Sequence, residues 1–205
     1  LNFLYPQNGT SAGVKMLQPY RKYHDDKAES TMCDIVAALG EGKMVLLDLA
    51  STASTMRRYF ADMIAENVFA AQEEKFNEDA LGDHWIQLYF EEAHNLFPAN
   101  DKNVTGIYDR IGKEGAKLRL GMIYSTQSPS TISAELLRET ENVFIGHISA
   151  PGELQTINKL QEAFSGCEQG ILRHRTPGYM RMLTKSHRFV IPVQMHLYDA
   201  LFEGV

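Results

Sequence analysis

Cysteine is nearly absent from this 205-residue chain: Cys33 and Cys167 are far apart and lack C-x-x-C or Cys/His ligand spacing. That excludes a disulfide framework and a zinc site, and it points to a reducing compartment. No run approaches the ~20 apolar residues of a membrane span, and no charged, then apolar, then small-residue leader is visible. A cytoplasmic protein without a membrane partner is expected. Internal repeats and low-complexity tracts are missing too. Asp and Glu disappear between Gln169 and Leu197, where Arg173, Arg175, Arg181, Lys185 and Arg188 supply +5; with −6 overall, the remainder carries −11. So acidic a body excludes a protein that coats nucleic acid with its whole surface, but the basic segment can still meet a phosphate chain or a neighbour's nucleotide. Finally, no GxxxxGKS or GxxxxGKT loop occurs, and Gly9 to Gly13 is followed by neither Lys-Ser nor Lys-Thr, nor by a clear helix.

What is present is a core-forming chain, 44% hydrophobic, with an alternation of strand and helix signals. Residues 1–28 read as an extended lead-in, 29–198 as one α/β core and 199–205 as a tail. A short helix is expected from Ser30 to Leu39, stopped by Gly40 and Gly42. Met44 to Leu49 (MVLLDL) has the continuous apolar character of a strand buried on both faces, with Asp48, Ser51 and Thr52 at its tip. The next helix, capped by Ser54 or a neighbour, presents Met56, Phe60, Met63, Ile64, Val68 and Ala71 inward. After a strand ending at Glu91 and a loop at 98–103, a helix is expected at 105–118, a strand at 120–125, a short helix at 135–138 and a strand at 142–147. Pro151 opens a further helix, with Leu154, Ile157, Leu160 and Phe164 inward. This alternation predicts a mostly parallel sheet flanked by helices, closed by a C-terminal β-hairpin turning at Pro177-Gly178.

The most informative stretch is Ile86 to Phe97, IQLYFEEAHNLF, in which an apolar strand ends in two adjacent carboxylates. Ligands of open α/β sheets bind beyond the carboxyl ends of the strands. A carboxylate there can reach a metal-bound phosphate while its neighbour orients the attacking water. The simpler alternative is a solvated charged turn. A di-iron reading of Glu91 and His94 fails for want of a second Glu-x-x-His. The tips line up in order: Asp48 and Ser51, then Glu91 and Glu92, then Ser125, Thr126 and Gln127. A Gln at that last tip both donates and accepts, which suits a terminal phosphate or the attacking water, although such a residue also serves to structure loops. His94 is expected to pack beneath the turn after the acids, and Trp85 to be a buried strand residue. The loop at 98–103, with Lys102, is a candidate contact for a phosphate backbone.

Taken together, GKMVLLDLAS, LYFEEAHNLFP, RIGKEGAKLRLGMIYSTQSPSTIS and NVFIGHISAPGELQTI are similar in order and spacing to the C-terminal two thirds of the ATPase core of the HerA/FtsK superfamily, closest to HerA-like DNA translocases. The likeness covers about residues 30–195. It implies a RecA-like P-loop NTPase core that binds ATP and Mg2+, assembles as a homo-oligomer, usually a hexameric ring, and moves double-stranded DNA for a partner nuclease or defence effector. It further implies that Glu91 takes the Walker B metal position, Glu92 the catalytic carboxylate and Gln127 the γ-phosphate sensor. An arginine finger from the adjacent subunit is implied as well, with Arg110, Lys113, Lys117, Arg173, Arg175 and Arg181 as candidates. The chain departs from the family in having Glu91 where Asp is common and KEGAK where REGRK is usual. Because the phosphate loop is missing and the chain begins at Leu1, the N-terminal P-loop unit is expected to lie upstream or to be lost, and this chain alone is expected to be inactive. A non-hydrolysing ring subunit of the same fold, or a conjugation or secretion ATPase, are the alternatives.

Overall fold

The computed structural model describes residues 31–49, 52–97 and 105–196. The expected lead-in, tail and 98–103 loop, with Ser51 and Lys102, lie outside them. Helix α1 (Thr31–Gly40) and the long α2 (Ser54–Asn77) come first, followed by strand β1 (Ile86–Phe90). A single 3-10 turn, Ala93–Asn95, leads on to α3 (Thr105–Glu114), a second 3-10 turn at Gly115–Leu118 and strand β2 (Leu120–Tyr124). Then come α4 (Ala134–Glu139), β3 (Val143–Ile145), α5 (Pro151–Leu160), α6 (Glu168–Arg173), β4 (Tyr179–Thr184) and β5 (His187–Gln194). The class is α/β, with a parallel pair flanked by helices.

β1 and β2 pair in parallel with Ile86 opposite Leu120 and Phe90 opposite Tyr124. Strand alternation sends Ile86, Leu88 and Phe90 to one face, where they join Leu120, Met122 and Tyr124 in a core with α2, α3 and α4. Its centre is aromatic: Phe97 lies 4.2 Å from Tyr108 and 5.3 Å from Phe90, ring centre to ring centre. The polar groups inside are matched, since Gln72 donates to the Leu118 carbonyl at 2.8 Å and the Tyr108 hydroxyl to Asp62 at 2.7 Å. Gly115, the glycine of KEGAK, is required by a close approach: a Cβ there would sit 2.4 Å from the Leu120 carbonyl oxygen. A second core gathers Ile145, Leu154, Ile157, Phe164 and Ile171 beneath β3, β4 and β5.

Several expectations are corrected. Residues 44–49 form no strand; Met44 and Leu46 are almost wholly exposed, and Asp48 lies in irregular chain, not at a sheet edge. An apolar run becomes a parallel strand only through neighbours, and no strand among the described residues pairs with it. On α2 the buried stripe is Ala61, Ala65, Val68, Phe69 and Gln72, about one position round from the expected one, with Ile64 only partly buried against the core. The residue before α2 is Ala53, and no side chain caps the helix. β3 pairs antiparallel with β4, so the order in that sheet is β3-β4-β5. Phe164 lies in a 3-10 turn after α5. The β4–β5 hairpin turns at Lys185-Ser186, where Thr184 pairs with His187. Pro177-Gly178 sits instead at its base, where the Gly178 carbonyl accepts the Met195 N–H at 2.9 Å. Trp85 precedes β1 and is half exposed.

Candidate functional site at the ends of β1 and β2

Two backbone hydrogen bonds tie the chain leaving β1 to the end of β2. The Ser125 N–H donates to the Phe90 carbonyl at 3.0 Å, and the Ala93 N–H donates to the Ser125 carbonyl at 2.9 Å. Between them Glu92 adopts left-handed backbone, φ 51° and ψ 48°, a conformation that a non-glycine residue takes up only at a cost. Ala93 and Phe97, both fully buried, anchor the turn in the first core, and the Phe97 carbonyl accepts the Ser133 N–H at 3.2 Å. The two acidic side chains thus leave a rigid turn.

Glu91 accepts hydrogen bonds from the hydroxyls of Tyr89 and Ser125. Tyr89 first, then Ser125, stabilise the ionised carboxylate and hold its pKa below the ordinary range, against a small opposing effect of burial. The same bond raises the Tyr89 hydroxyl. The Tyr89 contact is readable from strand alternation: Gln87, Tyr89 and Glu91 share the face opposite to Ile86, Leu88 and Phe90. Tyr89→Phe is expected to raise the Glu91 pKa towards its ordinary value. A carboxylate depressed in the folded state contributes stability above its unfolded pKa, and that contribution is lost as pH falls through the folded value. The variant therefore protonates Glu91 at higher pH than the wild type does. A carboxyl 13C NMR titration reads this directly, and an unchanged Glu91 curve contradicts it.

Glu92 points to the other side of the site. Gln127, three residues beyond β2, donates from Nε2 to Glu92 Oε1 at 2.7 Å. The second oxygen, Oε2, is shielded from solvent and lacks a well-directed hydrogen bond, though it lies 3.2 Å from His94 Nδ1. The same ring nitrogen lies 3.3 Å from Thr126 Oγ1, which itself accepts the Ser128 N–H at 3.0 Å. His94 is thus on the acidic turn, partly exposed and against Glu92, not packed beneath it.

The structure brings Glu91, Glu92, Gln127, Ser125 and Thr126 together. The basic candidates are elsewhere. Arg110 lies in the groove between α2 and α3, against the Phe69 ring, 3.2 Å from Glu73 and 3.9 Å from Glu114. Lys113 pairs with Glu135, and Lys117 is exposed on the 3-10 turn after α3. Arg173 and Arg175 are exposed at and after the end of α6, and Arg181 lies over the Tyr179 ring. A lone ionised carboxylate beside a serine hydroxyl suits magnesium, which keeps much of its water and takes phosphate oxygens as ligands. Among the described residues, no group of three His, Cys, Asp or Glu could hold a metal by itself, and no helix is long and apolar enough to cross a membrane.

No protein-family model matches the chain. It is 32% identical over 81 residues to a probable helicase of Methanocaldococcus jannaschii, covering 39% of this chain and 16% of that protein. Over 155 residues it is 23% identical to the DNA double-strand break repair helicase HerA of Sulfolobus acidocaldarius, covering 73% of this chain and 31% of that one. The aligned part thus spans a third or less of these curated relatives. In fold it is similar to the genome packaging NTPase B204 of Sulfolobus turreted icosahedral virus 2 in complex with ATP-gammaS, with a TM-score of 0.59, 17% identity, and coverage of 86% of this chain and 76% of that one. The AMP complex of the same protein aligns with a TM-score of 0.60 at 18% identity, covering 83% and 73%.

Proposed function

We infer that this chain, by sequence and fold a member of the HerA/FtsK superfamily of ATPases, carries the acidic half of an ATP-hydrolysing site in a motor subunit that moves double-stranded DNA. The observation that supports this most is the hydrogen bond between Gln127 and Glu92 across the ends of adjacent parallel strands, beside the ionised Glu91. In this reading Glu91 would hold Mg2+, which would supply positive charge against the phosphate tail. Glu92 accepts the proton of the attacking water. The Gln127 amide leaves Glu92 for a γ-phosphate oxygen or for that water, which its dual donor and acceptor character permits. The phosphate cradle comes from outside the described residues.

Charge builds on the transferring phosphoryl oxygens, so a cation from an adjoining subunit completes the site. Arg110 already meets two carboxylates of its own subunit, which leaves the exposed Arg173 and Arg175 as the better candidates. A hexameric ring with a nuclease or other effector docked on it is the assembly that fits this division of labour. The test is phosphate release by the full-length protein with ATP, Mg2+ and linear duplex DNA. Stimulation by DNA is expected. No hydrolysis under any condition contradicts the motor and favours a non-hydrolysing ring subunit.

A further inference from the structure

We propose that His94 is a positioning residue for Glu92, presenting a protonated Nδ1 to the carboxylate oxygen that Gln127 does not hold. The inference rests on the catalytic reading of Glu92 above. Glu92 Oε1 has the Gln127 amide, whereas Oε2 is shielded from solvent and has no conventional donor. A buried carboxylate oxygen without a donor is costly. The polar atom beside it is His94 Nδ1 at 3.2 Å. With the proton on Nε2, that nitrogen would turn a lone pair towards the carboxylate and repel it. With the proton on Nδ1, the N–H is directed to Thr126 Oγ1 at 3.3 Å and its positive end also faces Glu92 Oε2, 3.2 Å from the nitrogen.

Thr126 is well placed to fix the ring. Its Oγ1 is held by the Ser128 N–H, so it stays close to Nδ1 whichever way Glu92 moves. His94 itself sits in the 3-10 turn that follows Glu92, and the left-handed backbone of Glu92 folds the carboxylate back over it. When Gln127 turns to the phosphate, Glu92 retains one anchored oxygen, and its freed Oε1 is the one presented to water. The His94 contact therefore keeps the base aimed during the step in which its other hydrogen bond is surrendered.

The test separates this role from simple packing by where a replacement puts its nitrogen. In Asn the side-chain amide falls near the position of Nδ1; in Gln it falls near Nε2. In the full-length protein His94→Ala is expected to lower kcat by roughly 10- to 100-fold with KM for ATP nearly unchanged. His94→Asn should recover most of that loss, and His94→Gln should not. Equal rescue by Gln, or a wild-type rate in His94→Ala, overturns the proposal. Glu92→Gln is run beside them: if it too turns over at the wild-type rate, the catalytic reading of Glu92 has failed, whereas an inactive Glu92→Gln with a fully active His94→Ala removes only the role of His94. A readout independent of turnover is the imidazole 15N spectrum, assigned by its loss in His94→Ala. The neutral ring is expected as the Nδ1–H tautomer, and a dominant Nε2–H form contradicts the geometry.

Discussion

Glu92→Gln in the full-length protein is expected to lower DNA-stimulated ATP turnover by about 10³-fold while ATP affinity changes by less than about threefold, within the range attributed to loss of a positioned base. The substitution keeps side-chain length and planarity, and its amide can still bond with Gln127, which now donates to Glu92 Oε1 at 2.7 Å. What disappears is the capacity to take a proton from water. Glu91 keeps its two hydroxyl donors, Tyr89 and Ser125, so the surroundings of the carboxylate proposed to hold the metal are unaltered. Steady-state phosphate release and equilibrium binding of ATP in the presence of Mg2+ check the two halves of the expectation. A rate within tenfold of wild type removes Glu92 from the role of base.

Phe97→Ala is expected to destabilise the fold by about 3 to 5 kcal/mol, the usual cost of deleting a buried aromatic ring. Phe97 is fully buried and meets Tyr108, Phe90 and Tyr124, with ring centres 4.2, 5.3 and 6.0 Å away. Edge-on and tilted contacts of this kind add to the area term. The ring also packs the end of the turn that begins at Glu91 into the first core, beside Ala93 and Leu96. Its removal therefore loosens the site as well as the core. Urea unfolding followed by tyrosine and tryptophan fluorescence measures the effect, and a change below about 1 kcal/mol contradicts the central position given to this ring.

The acidic turn was readable because its signal is local. An apolar strand running into Glu91 and Glu92, and a second strand running into Ser125, Thr126 and Gln127, need only a parallel register to converge, and the register of Phe90 with Tyr124 supplies it. The end of α1 and the start of α5 fell where expected, because Gly42 at φ 75° and Pro151 act on the backbone directly, whereas α3 and α5 end earlier than expected, at Glu114 and Leu160. Met44 to Leu49 misled because hydrophobicity records what a segment could pair with, not whether the neighbour is there. β3 misled for a related reason: a short apolar run has no direction, and only the pairing of Ile145 with Arg181 reveals it as antiparallel. The left-handed backbone of Glu92 and the approach of His94 to its carboxylate were beyond any spacing rule. They follow from tertiary bonds between the turn and Ser125, 32 residues further along in the case of Ala93.

Glu91, Glu92 and Gln127 are expected to face the triphosphate tail of one bound nucleotide. A crystal structure of the full-length protein with Mg2+ and a non-hydrolysable ATP analogue tests it most directly. The terminal phosphate is expected beyond the ends of β1 and β2, with the metal at Glu91 and the Gln127 amide turned to the phosphate or its neighbouring water. A nucleotide bound elsewhere, with Gln127 still on Glu92 and no phosphate near either acid, would contradict it.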